Sequence, residues 1–554
     1  MKRGARTQLD QLRRESGEVH NQLIDDLLSG ETNRRDFLQR ATIFGLSIPA
    51  ASIALGAIGE TPVAFGAVKR GKAGGRLRLG INPAPGGAIE PILFADTGSL
   101  GTGSICGEFL TRATQNLQVK PELALSWTPN KTASVWTYKL RPNVKFQTGQ
   151  TMTAADVIAT YKNLLSAKSQ ALSAFQGVLS VDGISQGADP LTVIFKLDAP
   201  TASFPYLTSS TTYQAIILPA NYVMGTFTSK PQTTGAYQLT AYSQGQSVTY
   251  ERFPGWWGGT APLDGVDGTY YATAAAADAA LLSGQLDLYN EVTESSDRAL
   301  FNNPKVQIFA TRSAGHREIP MRTDIAPFND YRIRQAVALT LDRPAIIKTL
   351  LNGLGDLGND SPFAPVFPST APVPQRKKNL AKAKQLMAAS KTPKGFSTTV
   401  TVQGDLEIPA LAQILQRSVK DIGIKMAIKS ETDSVYFGGT AKTTPWLTTP
   451  INITGWGARA VPDVFLTSAY HTGGVWNAAH YNSKAFNALA KSYLAAISLA
   501  DKRKYSKQIE QLLLHDTPLI ISYFSPTIAA GGKNVKGYYV GPNNDVYLSH
   551  TTIQ

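Results

Sequence analysis

The stretch 125–157, LSWTPNKTASVWTYKLRPNVKFQTGQTMTAADV, decides how the rest of the chain is read. Residues 135–140 alternate apolar and polar side chains, the period of a half-buried strand. Arg141-Pro142-Asn143 reads as a turn, Val144-Lys145-Phe146 as a second short strand, and Gly149 as the turn into a helix. Thr153 with Asp156 three residues on fits a capping box, with Asp where Glu or Gln is more usual. The helix is therefore expected to open at Ala154. Nothing in the stretch forms a catalytic constellation.

Working outward, 75–80 (GRLRLG) reads as a first strand and 82–91 as a Pro/Gly-rich loop. Residues 92–113 look helical with Gly interruptions. Strands are expected at 178–181 and 191–197, on either side of a polar turn, and at 234–239 and 248–253. An Ala-rich helix covers 272–282. Helices are expected at 332–343, 380–389 and 408–422, strands at 396–402 and 424–428, and a β-like run from Pro450 into Gly455-Trp456-Gly457. Residues 483–514 read as mostly helical and 519–524 as a buried strand.

Five blocks of this map resemble the peptide- and nickel-type extracytoplasmic solute-binding proteins (family 5). The opening stretch is similar to that family's SW…W-x-F-x-L-R-x-x-V-x-F-x-x-G-x-x-x-T-A-x-D-V. Residues 234–239 (TGAYQL), 253–259 (FPGWWGG) and 281–287 (LLSGQLD) are similar to its G-x-G-x-Y-x-L, N-x-x-Y-W-x-G and L-x-x-G-x-x-D. Residues 327–343 (PFNDYRIRQAVALTLDR) resemble its P-F-x-D-x-x-V-R-Q-A-x-x-x-A-x-D-R. The blocks stand in family order between about Gly75 and Tyr523. The resemblance implies an α/β, bilobal periplasmic-binding-protein type II fold with an extra inserted domain. It also implies a monomeric receptor that closes on a solute and docks on the membrane permease subunits of an ABC importer. On this reading the signal is 1–66, lobe I comprises 67–118, 232–312 and 521–554, the inserted domain is 119–231, and lobe III is 313–520.

Composition is compatible with that reading and removes competitors. The chain has 554 residues, 43% hydrophobic and 17% charged, which suits several globular domains. Its charge of +14 is scattered apart from Arg376-Lys377-Lys378, so no nucleic-acid face is expected. Cys106 is the single cysteine, so no internal disulfide can form and the thiol is expected to be buried. Asn33-Arg34-Arg35-Asp36-Phe37-Leu38 reads as a twin-arginine export motif, followed by a weakly apolar run at 41–58. Cleavage is expected between Ala57 and Ala67, leaving the mature protein in the periplasm. The alternative is an uncleaved anchor, since the run is nearly long enough to cross a bilayer.

Apparent catalytic signals do not hold together. Gly183-Ile184-Ser185-Gln186-Gly187 matches G-x-S-x-G, but the next expected element is a strand where a nucleophile elbow needs a helix. The six histidines show no i, i+4 pair and no H-E-x-x-H, so no metal, catalytic residue or cofactor is expected. The reading is therefore a non-enzymatic receptor; the alternative is a secreted hydrolase of peptides or glycans.

In peptide-binding members of the family, Gly-Trp is followed after two residues by an Asp that pairs with the peptide's amino terminus. Here the run is Gly455-Trp456-Gly457-Ala458-Arg459, so the charge is reversed. A guanidinium offers a planar fork to a carboxylate or phosphate. A peptide-like, opine-like or other carboxylate-bearing solute is thus expected. Arg459, Trp456, Gly457, Trp476, Asn477 and Tyr436 are the candidate contacts, with Arg322 and Trp446 behind them. The alternative is that Arg459 pairs with Asp463 or faces water. Trp256 and Trp257 are assigned to structure.

Overall fold

The computed structural model describes residues 18–30, 48–57 and 74–554, apart from Pro83, Ala88, Asn116 and Pro231, with scattered positions between 8 and 46. The second arginine of the expected export motif and the cleavage range beyond Ala57 lie outside the described residues. The helix Glu18–Leu28 buries Leu23, Ile24 and Leu27 and packs on the helix Ile48–Ala57. Among the described residues no helix is long and apolar enough to cross a membrane.

The chain forms two compact units. The first comprises 1–292, 299–311 and 528–554, and the second 293–298 and 312–527.

In the first unit, the strand Arg76–Ile81 runs parallel to Gly265–Tyr270 on one side and to Leu288–Tyr289 on the other. Ser247–Arg252 and then Tyr237–Ser243 extend this sheet antiparallel beyond Gly265–Tyr270. The alternation in GRLRLG has its expected cause. Leu77 and Leu79 are buried, while Arg76 and Arg78 reach Asp267 and Asp287 at 2.8 and 2.7 Å.

A second sheet of the first unit holds the opening stretch. Its antiparallel order is Ala124–Pro129, Val135–Leu140, Thr192–Lys196, Ile184–Gln186. The helix Ala154–Leu164 begins at the capping box, where Asp156 accepts the Thr153 backbone N–H at 2.7 Å. It buries Val157, Tyr161 and Leu164, and Tyr161 meets Phe195 at 5.1 Å between ring centroids.

Three sequence expectations shift in this unit. Residues 144–146 are not a ladder strand; a lone bridge joins Lys145 to Thr151. Turns at Asn143 and Gly149, both at positive φ, leave too little extended chain between them, although Val144 and Phe146 are buried. The strand expected at 178–181 forms instead at Ile184–Gln186. Ser185 is exposed on that edge strand, whose partner is the strand Thr192–Lys196, so the strand–turn–helix needed for a nucleophile is missing there. The helix expected over 92–113 is shorter, Thr97–Cys106, started by Asp96 accepting the Ser99 N–H and followed by the strand Thr111–Ala113.

In the second unit, Phe396–Gln403 runs parallel to both Ile424–Glu431 and Asn452–Trp456. Residues 316–318 of the strand Val306–Pro320 pair antiparallel with the end of Asn452–Trp456. The helices Tyr331–Thr340 and Ile408–Lys420 contribute Ile333, Val337, Leu411 and Leu415 to one core with Val400, Val402 and Ile453. The helical region 483–514 is two helices, Lys484–Ala495 and Leu499–Asp516, the second opened by Ser498 as its cap. The strand expected at 519–524 runs on to Gly532.

Candidate solute-binding face

The short strand Asn452–Trp456 organises the candidate site. Its antiparallel register sets His316 opposite Trp456 and Glu318 opposite Thr454. Side chains alternate along a strand, so these four share one face, and Arg317 and Gly455 take the other. Gly455 allows Gln403 to approach and accept its N–H at 3.0 Å; a Cβ there would sit 3.2 Å from the same oxygen.

Around Trp456 the rings are continuous. Trp476 lies 5.5 Å away, Phe465 5.5 Å and Trp446 6.0 Å, and Phe437 continues the row 5.8 Å from Trp446. The three tryptophans are half-buried, and Phe437 is 40% exposed. Val475, beside Trp476, is 65% exposed. Aromatic surface left to water in this density is suited to the apolar part of a solute.

Arg459 is half-buried at the rim and donates to the Ala458 carbonyl at 3.0 Å. Gly457 is exposed, and the nearest atom to a Cβ there would be the Arg459 guanidinium at 3.5 Å, so the turn leaves open space. The charge of Arg459 is felt below. Burial first, then Arg317 and Arg459, push the His316 imidazole down to about 4. Glu318 beside it is fully buried and pushed up to about 8 by loss of water, against hydrogen bonding from Tyr470 and Trp456.

The remaining expected residues hold the face from behind. Tyr436 is fully buried, its hydroxyl within 2.7 Å of Thr454 Oγ1 and 3.0 Å of the Ile453 carbonyl. The Asn477 amide donates to the His471 and Tyr481 carbonyls at 3.1 and 2.9 Å and so shapes the loop that carries Trp476. Arg322 grips Asp324 through two 2.7 Å bonds and donates to the Thr448 carbonyl at 3.1 Å, bracing the short helix Pro445–Thr448 that carries Trp446. Sequence reasoning brought Trp456, Trp476 and Arg459 into one neighbourhood but missed His316, Glu318, Phe437 and Phe465. The alternation His316-Arg317-Glu318 was a strand signal; which strand it would pair with was not in the local sequence.

Other candidates resolve into structure. Trp256 and Trp257 both donate their indole N–H to buried Glu108 at 2.8 Å. Cys106 is buried, which pushes its thiol up to about 12. His471 and His480 bond to the carbonyls of Thr472 and Leu447. Among the described residues no group of three or more His, Cys, Asp or Glu could hold a metal ion.

The chain is similar to the oligopeptide-binding protein AppA of Bacillus subtilis, with 27% identity over 518 residues, 86% of this chain and 92% of that protein. It is 23% identical over 489 residues to the glutathione-binding protein GsiB of Escherichia coli, covering 84% of this chain and 92% of that one. Among solved structures it resembles the binding protein AgaA of A. tumefaciens R10 in complex with agropinic acid. The TM-score is 0.69 at 21% identity, covering 87% of this chain and 99% of that one. The model of the bacterial extracellular solute-binding proteins, family 5, matches residues 118–477, well over half of the sequence, and the chain belongs to that family.

Proposed function

We propose that this protein is an extracytoplasmic receptor that captures a carboxylate-bearing solute and delivers it to the permease of an ABC importer, without turnover. The observation that carries the solute class is Arg459 at the rim of the Trp446–Trp456–Trp476 row. A ligand with a free amino terminus would set cation against cation there; a carboxylate meets a guanidinium fork backed by aromatic surface. Glutathione and agropinic acid, named for two of the similar proteins, both carry carboxylates, which supports this class without choosing a member. Export by the twin-arginine route, cleavage between Ala57 and Ala67, a monomeric mature protein and the lobe boundaries read from the sequence belong to the same proposal.

Native mass spectrometry of the purified protein identifies the retained solute. Titration of that solute into Arg459→Ala then tests its orientation. A charge-assisted pair contributes about 1.5–3 kcal/mol, so affinity should fall about tenfold or more. Unchanged affinity would remove Arg459 from the site.

A further inference from the structure

Beneath Trp456 lie two titratable side chains that solute capture as described does not use. His316 is wholly buried between the rings of Phe465, at 5.1 Å, and Phe524, at 5.5 Å. Its Nδ1 is 2.9 Å from the Ala314 carbonyl, which can only accept, so Nδ1 carries a hydrogen. In the neutral ring the lone pair is then on Nε2, which has no hydrogen-bond partner and faces Glu318 Oε2 at 4.0 Å. A carboxylate there would set two acceptors against each other in a site without water contact. A protonated, neutral carboxyl removes that opposition.

We propose that Glu318 and His316 hold a single proton beneath Trp456, and that its loss weakens capture of an anionic solute at the Arg459 rim. The inference rests on the carboxylate reading of that rim. The groups facing the pair are few. Tyr470, from the segment after Phe465–Ala469, donates to Glu318 at 3.1 Å, and Trp456 stands on the same strand face. Tyr436 feels the Glu318 charge from the helix Asp433–Tyr436, and Arg459 acts on His316 from its loop. Arg317 turns to the opposite face and pairs with Glu407 at 2.9 Å. With the His316 ring neutral, the proton rests on Glu318 at neutral pH, and the pair sets no negative charge beneath the face that Arg459 rims. Once the proton leaves for solvent, a buried carboxylate stands below Trp456 and counters that charge. The elevated Glu318 value, about 8, puts the change just above neutrality.

Tryptophan fluorescence of the full chain, followed over roughly pH 6.5 to 9, reads the proton without any ligand. A transition near pH 8 is expected, lost in Trp456→Phe and in Glu318→Gln, which keeps the protonated shape. It should persist in Arg459→Ala, so failure of the rim reading and failure of this one give different results. No transition, or one that survives Glu318→Gln, overturns the shared proton. The anionic aromatic dye anilinonaphthalene sulfonate reads the coupling. Its affinity should fall severalfold across the transition in the native chain and stay level in Glu318→Gln. A level profile in the native chain overturns the coupling. A dye that binds Trp456→Ala and the native chain equally well overturns the anion-binding face, and the coupling with it, leaving the fluorescence result to judge the proton.

Discussion

The aromatic rings of 127–204 and those of 437–476 are packed at similar spacings, but they differ in what lies above them. On and around the four-stranded sheet, Trp127, Trp136, Tyr138, Tyr161, Phe195 and Phe204 are all fully buried, with Tyr138 and Phe195 at 5.3 Å. In the second unit, Trp456 and Trp476 meet at 5.5 Å, yet both keep part of their surface in water, and Phe437 and Val475 beside them are exposed. The first set is a closed core made by a helix laid over a sheet. The second stands at the end of a short strand, beside exposed Gly457, and keeps part of its ring surface open to solvent. Ring density therefore does not mark out a candidate site from a core; the exposed ring edge is the difference, joined here by a cation at its rim.

The comparison breaks first if the closed set tolerates a hole. Trp136→Ala should cost about 3–5 kcal/mol in urea unfolding, since the ring is wholly buried and its indole donates to the Thr201 carbonyl at 3.2 Å. Solute affinity of the folded fraction should stay unchanged. Trp456→Ala should show the reverse, a smaller loss of stability and a loss of solute binding by calorimetry. If both variants lose stability alone, the second cluster is also only a core.

A finer test lies in the pH dependence of unfolding. Glu318 binds its proton more tightly when folded, so its contribution is complete below the unfolded value and is lost as pH rises through about 8. His316 has the opposite sign: its folded value is lowered to about 4, so its contribution is present above the unfolded value and lost as pH falls towards 4. Between about pH 6.5 and 8 only Glu318 of this pair changes, and stability should decline there. Glu318→Gln should flatten that interval. A decline of the same size in both proteins would assign it to other groups. The smallest effect is expected of Tyr436→Phe, about 0.5–1.5 kcal/mol. Its hydroxyl braces the strand from behind at Thr454, and solute affinity should hardly move.

Much of the fold was legible along the chain because its signals are local. The capping box at Thr153 and Asp156 starts a helix from four residues' worth of information. The alternation at Leu77 and Leu79 needs only to know that one face of a strand is buried. Where two local signals competed, reading went astray: at 144–146 the apolar alternation was real, but flanking turns prevented a ladder. Tyr436 was a candidate contact from its residue type, and its buried hydroxyl is taken up by Ile453 and Thr454 of the strand.

By itself, then, the sequence determined the family, through five blocks in order, and the presence of a cation at Arg459, because residue identity is a property of the chain alone. Only the tertiary structure decided which aromatic residues stay open to solvent and that Glu318 lies beside His316 under Trp456. Those facts depend on pairing residues 316–318 with 454–456, more than a hundred positions away, and strand register across such a distance is set by the packed sheet as a whole.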